Sequence, residues 1–585
     1  MNEKEPLSPL IDPRAGDVED DVSSLKDRSL ILVASSMLVE VSLPKLLISA
    51  LIMILLPAVL LGLAPLLVTA WFSILPRETA ALLGGTGTVA LVVVAPLVAW
   101  WGGPSLYRAA ERSFWSLNSL VVQPFYAFVR EALRHLAERS LAANVGPRRR
   151  ARLRTLATAG AGVVLCCLAT WIVMAAWPST RWAGVLADLV NPQRLILPAL
   201  ANTVVVIGGF LAGASVVWAV ADSTMDQPRD LEAFDIPGDD AKRWRVAHLS
   251  DLHAVGGAYE FRVESGRAGP RGNDRIAEVL DRLAAIHAAD PLDVVLISGD
   301  LTDAGRSTEW AQIMDKLSRH PALLERMLVL PGNHDLNVVD RTNPARLELP
   351  QSVGRRLRQI RMLSAMEAIQ GNRVRVMDRE RGKLGRTLSE VLDPHRDAIR
   401  EFADRGSQRL SWRLAELWDD CFPMVVPPQI PGGMGVILLN SNAETHFSFT
   451  NALGLVPAMQ INDLKNAVRQ YPKSRWIVAL HHHLVEYPTP VKKFSARIGT
   501  ALINGSSFVR LLQRFGGRMV VMHGHRHVDW VGESGRVRIV SAPSPVMSTP
   551  ETAHFYIHTL AMGPRNRLEL AQPQRIDLHA SVSTS

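Results

Sequence analysis

Hydrophobic positions follow two different rules along this chain. In the first 221 residues they form long unbroken blocks: Leu46 to Phe72, Thr79 to Trp101, Thr155 to Trp177 and Leu195 to Val220 contain no charged side chain. A helix needs about 20 apolar residues to cross the hydrocarbon layer of a bilayer, and each block is long enough. Buried helices of soluble proteins are usually shorter and keep a polar stripe. The blocks therefore predict a transmembrane region over 46–221 with four helices, spanning about 46–72, 79–101, 155–177 and 195–220. Trp71, Trp100, Trp101, Trp177 and Trp218 lie at or near the block ends, and indole favours the membrane interface.

Beyond Val220 the blocks give way to a linker, taken as 222–243, and then to short apolar runs that alternate with amphipathic stretches. This alternation predicts an α/β domain over 244–571. Strands are expected at Arg245 to Leu249, Asp293 to Ser298, Met327 to Leu330, Gly435 to Asn440, Arg475 to Leu480, Arg518 to Met522 and Arg536 to Val540. Helices are expected at Asn273 to Ala289, Thr308 to Arg319, Ala458 to Gln470 and Gly505 to Phe515. Residues 341–420 break the pattern. Dense in charge, helical in pattern and too long for an ordinary loop, they are expected to be an insert without strands and a candidate lid. Their cluster Arg355, Arg356, Arg358 and Arg361 is expected on a solvated helix face, with an anionic substrate or the membrane surface as alternative contacts. Residues 1–45 and 572–585 are expected to be tails, with the acidic, proline-containing stretch 1–27 disordered.

Charge decides how these halves are arranged. The 585-residue chain carries a net charge of +8, which fits either a nucleic-acid ligand or a membrane protein with basic inner loops. Ten arginines fall in 102–154, between the second and third blocks, including Arg148, Arg149, Arg150, Arg152 and Arg154; the two short alternate loops hold Arg77, Arg181 and Arg194. Positive loops stay on the cytoplasmic side, so the arginine-rich loop, the N-terminus and everything after Val220 are expected in the cytoplasm. The expected location is thus the cell membrane, multi-pass, and lipid is an expected partner. The first 27 residues lack the short basic start of a secretory signal. Residues 105–143 mix apolar positions with Arg108, Arg112, Arg130, Arg134 and Arg139, as in amphipathic helices on an anionic leaflet or helices packed on the cytoplasmic domain. The blocks contain no ionisable group, and Asn202 is their most polar side chain, so they predict an anchor rather than an ion or substrate path. Cys166, Cys167 and Cys421 cannot build a disulfide framework or a CxxC zinc site.

Chemistry concentrates at the ends of the expected strands. Asp251 and His253 follow the first, Gly299-Asp300 the second and Gly332-Asn333-His334-Asp335 the third; His481-His482-His483 and Gly524-His525-Arg526-His527 follow two later strands. Ligands collect beyond the carboxyl ends of strands in α/β sheets, so these groups can converge. Mixed carboxylate and imidazole donors suit divalent manganese, iron or zinc, and a carboxylate such as Asp300 can bridge two ions about 4 Å apart. Each motif alone is weak. His334, beside Asn333, can protonate a leaving oxygen; the plainer alternative is a structural histidine held by Asp335 or Asp303.

All five groups in this order resemble the calcineurin-like metallophosphoesterase superfamily, whose pattern is D-x-H, G-D, G-N-H-D/E, H and G-H-x-H. Ser250-Asp251-Leu252-His253, Gly299-Asp300-Leu301-Thr302-Asp303 and Pro331-Gly332-Asn333-His334-Asp335 are most similar to its cyclic-nucleotide phosphodiesterase-like branch. The resemblance covers about Trp244 to Ser541 without the insert. It implies a metallophosphoesterase-type α/β sheet sandwich flanked by helices, here preceded by an all-α transmembrane region of four helices. It also implies two divalent metal ions, one held by Asp251, His253, Asp300 and His527 and the other by Asp300, Asn333, His482 and His525. The family usually places proline two residues after its single histidine; Leu484 stands there if His482 is the ligand, and His481 is the alternative.

The expected function is therefore a membrane-anchored phosphoesterase that hydrolyses a phosphate ester, in the first instance a phosphodiester, by attack of a hydroxide shared by two ions. A cyclic nucleotide and a phospholipid head group are the candidate substrates. A non-enzymatic membrane sensor is the second reading, though none of the seven ligands is missing. A nuclease is the third, weakened because no basic stripe is interleaved with aromatics; nucleic acid is not an expected partner.

Overall fold

The computed structural model describes residues 7–16, 56–72, 123–139, 147–256, 273–337, 348, 352–445, 451–488, 502–547, 553–564 and 567–578. They fall into two units, one of residues 41–225 and one that combines 1–40 with 226–585.

In the first unit the long described helices are α1 (Leu56–Phe72), α2 (Gln123–Arg139), α3 (Pro147–Ala176) and α4 (Ile196–Ser223). The stretches Ala151–Ser179 and Gln193–Ser223, with mean hydropathies of 2.1 and 2.3, are long and apolar enough to cross a membrane. α1 is apolar over the shorter Val59–Ala70, and the expected span 79–101 lies outside the described residues. Small residues bring α3 and α4 together: a Cβ on Gly162 would stand 2.2 Å from the Ala219 Cβ, so only glycine permits that approach. Asn202 works as a clasp, its Nδ2 donating to the carbonyls of Gly62 (3.0 Å) and Arg181 (2.7 Å).

α2 has its charged face turned inward against α3 and α4. Arg130 donates to Asp222 (2.7 Å) and Glu131 (3.0 Å), and Arg134 donates to Glu131 (2.9 Å) and Thr158 Oγ1 (2.8 Å). Phe125, Phe128 and Leu136 are 57%, 54% and 62% exposed. The polar stripe is thus consumed by internal pairing, and the apolar stripe faces outward.

The second unit is built on two sheets. The nine-stranded sheet runs β1-β11-β12-β10-β9-β8-β7-β5-β6. In chain order these strands are β1 (Arg229–Asp230), β5 (Arg375–Asp378), β6 (Lys383–Thr387), β7 (Met424–Val426), β8 (Met434–Leu438), β9 (Arg475–Ala479), β10 (Met519–His523), β11 (Trp530–Ser534) and β12 (Val537–Ser541). β8, β9, β10 and β12 are parallel and the remaining pairs antiparallel. The six-stranded sheet has β2 (Arg243–Leu249), β3 (Val294–Ile297) and β4 (Met327–Val329) in parallel. β13 (His554–Met562) is antiparallel to β2 and pairs in turn with β14 (Leu568–Leu570) and β15 (Gln574–Asp577). Buried residues from both sheets, such as Val246, Ile297, Ile477 and Val520, belong to one hydrophobic cluster, which makes this a sandwich. Helices α5 (Asp274–Ala289), α6 (Ser307–Ser318), α7 (Val353–Gln370), α8 (Arg396–Arg405), α9 (Ala458–Gln470) and α10 (Gly505–Gln513) cover the sheets.

All seven expected strands are present, each shifted by two residues at most. The insert is different from its expectation. It contributes β5 and β6 to the sheet edge, and Leu357, Ile360, Met362, Leu363 and Met366 of α7 are in the core. A lid would not bury such a face. Arg355, Arg358 and Arg361 are 9%, 5% and 2% exposed, so the expected solvated arginine face is corrected to a buried one. The stretches expected as linker and tail also join sheets: β1 pairs with β11, and β15 with β13. Residues 7–16, expected to be disordered, pack on the domain through Leu10 and Ile11, each 4% exposed. The Ile11 N–H donates to Ser364 Oγ of α7 (2.8 Å), and Arg14 pairs with Asp315 of α6 (2.6 Å).

Candidate metal centre

Five loops at the carboxyl ends of parallel strands carry the expected ligands: after β2, β3 and β4 in one sheet, and after β9 and β10 in the other. Side chains from the two sheets meet. His527 Nε2 lies 3.1 Å from Asp251 Oδ1 and 3.4 Å from His253 Nε2. His481 Nε2 lies 3.1 Å from Asp300 Oδ2, 3.1 Å from Asn333 Oδ1 and 3.2 Å from His525 Nδ1. Asp300 Oδ2 is also 3.9 Å from His253 Nε2. Among the described residues three donor groups come together: Asp251, His253 and His527; Asp300, His481 and His525, with Asn333 beside them; and His253, Asp303 and His334, which shares His253 with the first.

Backbone conformation marks the same residues. Among the described residues, Asp251, His253, Asp300, His525 and His527 are the non-glycines with positive φ, from 45° to 76°. Each costs about 1 to 3 kcal/mol, and such strain persists where the surroundings over-determine it. Gly332 shows how tightly the loops meet, since a Cβ there would stand 2.0 Å from Asp300 Oδ1.

The donor set fits divalent ions. His482 Nε2 and His525 Nε2 are buried without a hydrogen-bond partner, which is costly unless something else binds them. Burial, reinforced by the neighbouring histidines, holds both rings far below the ordinary imidazole range, so they are neutral, as ligation requires. Burial works against ionisation of Asp251 and Asp300, yet the surrounding imidazoles, His527 first for Asp251 and His481 first for Asp300, keep both carboxylates below their usual range. Burial likewise opposes a charge on His481, but Asp300 overrides it and carries the ring up to about 9.

Both histidines that the sequence offers after β9 lie at the centre: His481 Nε2 meets Asp300, Asn333 and His525, while His482 presents the partnerless Nε2. His482 engages Ser441 Oγ through Nδ1 (2.9 Å) and stacks 4.4 Å from the His525 ring. His334 is held at Nδ1 by the carbonyl of Asp303 (2.7 Å) and crosses the His253 ring edge-on at 4.5 Å. Asp303 Oδ1 also lies 3.2 Å from His253 Nδ1. Asp335 instead ties two loops, accepting from the Thr302 N–H (2.9 Å) and the Gly332 N–H (2.9 Å). Sequence reasoning missed Ser441, whose Oγ accepts from the N–H groups of His481 and His482 (3.2 Å each); its one signal was its place after β8.

Residues 245–529 match the family model of calcineurin-like phosphoesterases. This region is a calcineurin-like phosphoesterase domain. The calcineurin-like domain makes the protein a metal-dependent phosphoric ester hydrolase, with the first two of the three donor groups as candidate metal positions. Among solved structures the chain is similar to a dimetal phosphatase from Danio rerio, at 10% identity and TM-score 0.32, covering 57% of this chain and 99% of that one. It is also similar to the NAD nucleotidase NadN of Haemophilus influenzae, at 11% identity and TM-score 0.29, covering 58% and 57%. A purple acid phosphatase from yellow lupin, Lupinus luteus, follows at 10% identity and TM-score 0.27, covering 59% and 55%. The chain spans just over half the length of the last two. No curated protein matches it.

Proposed function

We propose that the protein is a membrane-anchored phosphodiesterase with two divalent ions drawn from manganese, iron and zinc. Asp251, His253, Asp300 and His527 hold one ion, and Asp300, Asn333, His481 and His525 hold the other. The observation that carries this reading is the position of Asp300 Oδ2, 3.1 Å from His481 Nε2 and 3.9 Å from His253 Nε2, between the first two donor groups. When bound, such an ion pair supplies Lewis acidity and a nucleophile derived from water. His334 then acts as general acid: with Nδ1 donating to the Asp303 carbonyl, Nε2 is the nitrogen that delivers a proton to the leaving oxygen.

The two long apolar helices support the anchor. Burial of Leu10 and Ile11 in the catalytic unit supports an N-terminal segment on the same side as the catalytic domain, as an even number of crossings requires. The arginines of 102–154 make that side the cytoplasm. An anchored site favours a phospholipid head group as substrate, with a cyclic nucleotide as the soluble alternative. The test uses the full chain in detergent, stripped of metal and resupplied with manganese, iron(II) or zinc. Metal-dependent release from bis(p-nitrophenyl) phosphate that exceeds release from p-nitrophenyl phosphate supports the diesterase. A monoester preference overturns it.

A further inference from the structure

The first helix of the insert spends its arginines on the catalytic loops. Arg355, Arg358 and Arg361 recur every three residues, so they share one face of α7. Burying a guanidinium costs several kcal/mol unless it is fully paired, and here the pairing includes backbone carbonyls of loops around the metal centre. Arg355 donates to Thr445 O (3.1 Å) and Arg358 Nε to Leu336 O (2.9 Å), while Arg358 NH2 also meets Glu348 (2.7 Å). Arg361 NH1 donates to Gly305 O.

Two of these carbonyls bracket the His334 environment. Gly305 lies two residues after Asp303, whose carbonyl fixes His334 Nδ1; Leu336 lies two residues after His334 itself. Gly305 has φ of 70°, and a Cβ there would stand 2.5 Å from Asp335 O and 3.1 Å from Arg358 Cδ. The 303–305 loop, the 333–336 turn and α7 are therefore in direct contact, and a small shift of either guanidinium moves the peptide that aims the imidazole.

We propose that Arg361 and Arg358 are positioning residues for the reaction: by holding Gly305 O and Leu336 O they set the loop that orients His334 towards the leaving oxygen. This rests on the reading of His334 as general acid. Proton delivery matters most when the leaving group is a poor one, and a misplaced acid is costly even when the shift is small. Removing the brace thus selectively harms esters of poor leaving groups, whereas simple loss of fold or metal harms all substrates alike.

The experiment takes the full-length, metal-loaded protein and measures kcat on phosphodiesters whose leaving groups run from p-nitrophenyl through phenyl to alkyl. His334→Ala is expected to lose about 100-fold on alkyl esters and far less on p-nitrophenyl esters. R361Q is expected to lose about tenfold on alkyl esters and less than about twofold on p-nitrophenyl esters, and R361K a smaller loss with the same slope. If R361Q does not fold, R361K and R358K carry the test. Should His334→Ala be selective while the arginine variants lower every substrate equally or none at all, the inference is overturned. Should His334→Ala show no selectivity, the general-acid reading falls and the inference with it.

Discussion

Two helices, α2 in the first unit and α7 in the second, bury arginines, and they offset the cost in different ways. On α2, Arg130 and Arg134 face the carboxylates of Asp222 and Glu131, so charge cancels between side chains. On α7, Arg361 and Arg358 donate to the carbonyls of Gly305 and Leu336, and Arg358 also pairs with Glu348, so backbone is oriented as well as charge matched. The first arrangement fastens helices and can be replaced as a set. The second also fixes loop conformation, because part of its pairing is with backbone.

The largest expected effect follows from breaking the α2 network. Asp222→Ala should cost about 3 to 5 kcal/mol by removing one partner of the buried Arg130, which keeps only its pairing with Glu131 among the two carboxylates described, read as a lowered unfolding temperature of the full chain. Adding Arg130→Leu should recover most of that loss. R361Q should show no comparable rescue by a second substitution, because its contact with Gly305 is to backbone. If Asp222→Ala is silent, or one changed side chain compensates R361Q, the distinction fails. A smaller effect is expected at the N-terminal segment: Leu10→Ala should cost about 2 to 3 kcal/mol, as at other buried leucines, and chemical denaturation that leaves its midpoint unchanged would contradict the packing.

The smallest effect concerns Glu309 of α6. Burial, and after it Asp303, raises its carboxyl to about 7, although it accepts from the Ala304 and Arg306 N–H groups. A raised folded-state pKa gives a contribution that is complete below the unfolded value near 4.5 and is lost as pH rises through about 7. Glu309→Gln keeps an acceptor and cannot ionise, so it should be near neutral at pH 4 and stabilising, on the order of 1 kcal/mol, at pH 8. A variant less stable than the wild type at pH 8 would contradict this.

The difference between α2 and α7 also shows how much of this molecule its sequence discloses. β2, β3, β4, β9 and β10 were legible because each is a short apolar run ending in a residue with donor chemistry. Asp251, His253, Asp300, Asn333, His525 and His527 converge because those strand ends converge. β5 and β6 were not legible: they lie at a sheet edge, and only Val376 and Met377 among their residues are buried, so their sequences have little alternation. The choice between His481 and His482 was out of reach because spacing puts three histidines after one strand, and only the direction of the rings separates them. The α7 arginines misled because charge on a helix usually marks solvent, whereas here folded loops offer carbonyls that no sequence pattern announces. Leu10 and Ile11 are two apolar residues in a polar stretch, too few to form a periodicity.

The central claim is the proposed one, that Asp300 would serve both metal positions. Full-length wild type and Asp300→Ala, stripped and reloaded with the same metal, should be compared for bound metal per chain and for phosphodiester hydrolysis. The account predicts about two ions per chain and metal-dependent turnover for the wild type, and loss of both ions with turnover reduced to background for the variant. Wild-type turnover by Asp300→Ala, or unchanged metal content, would contradict it.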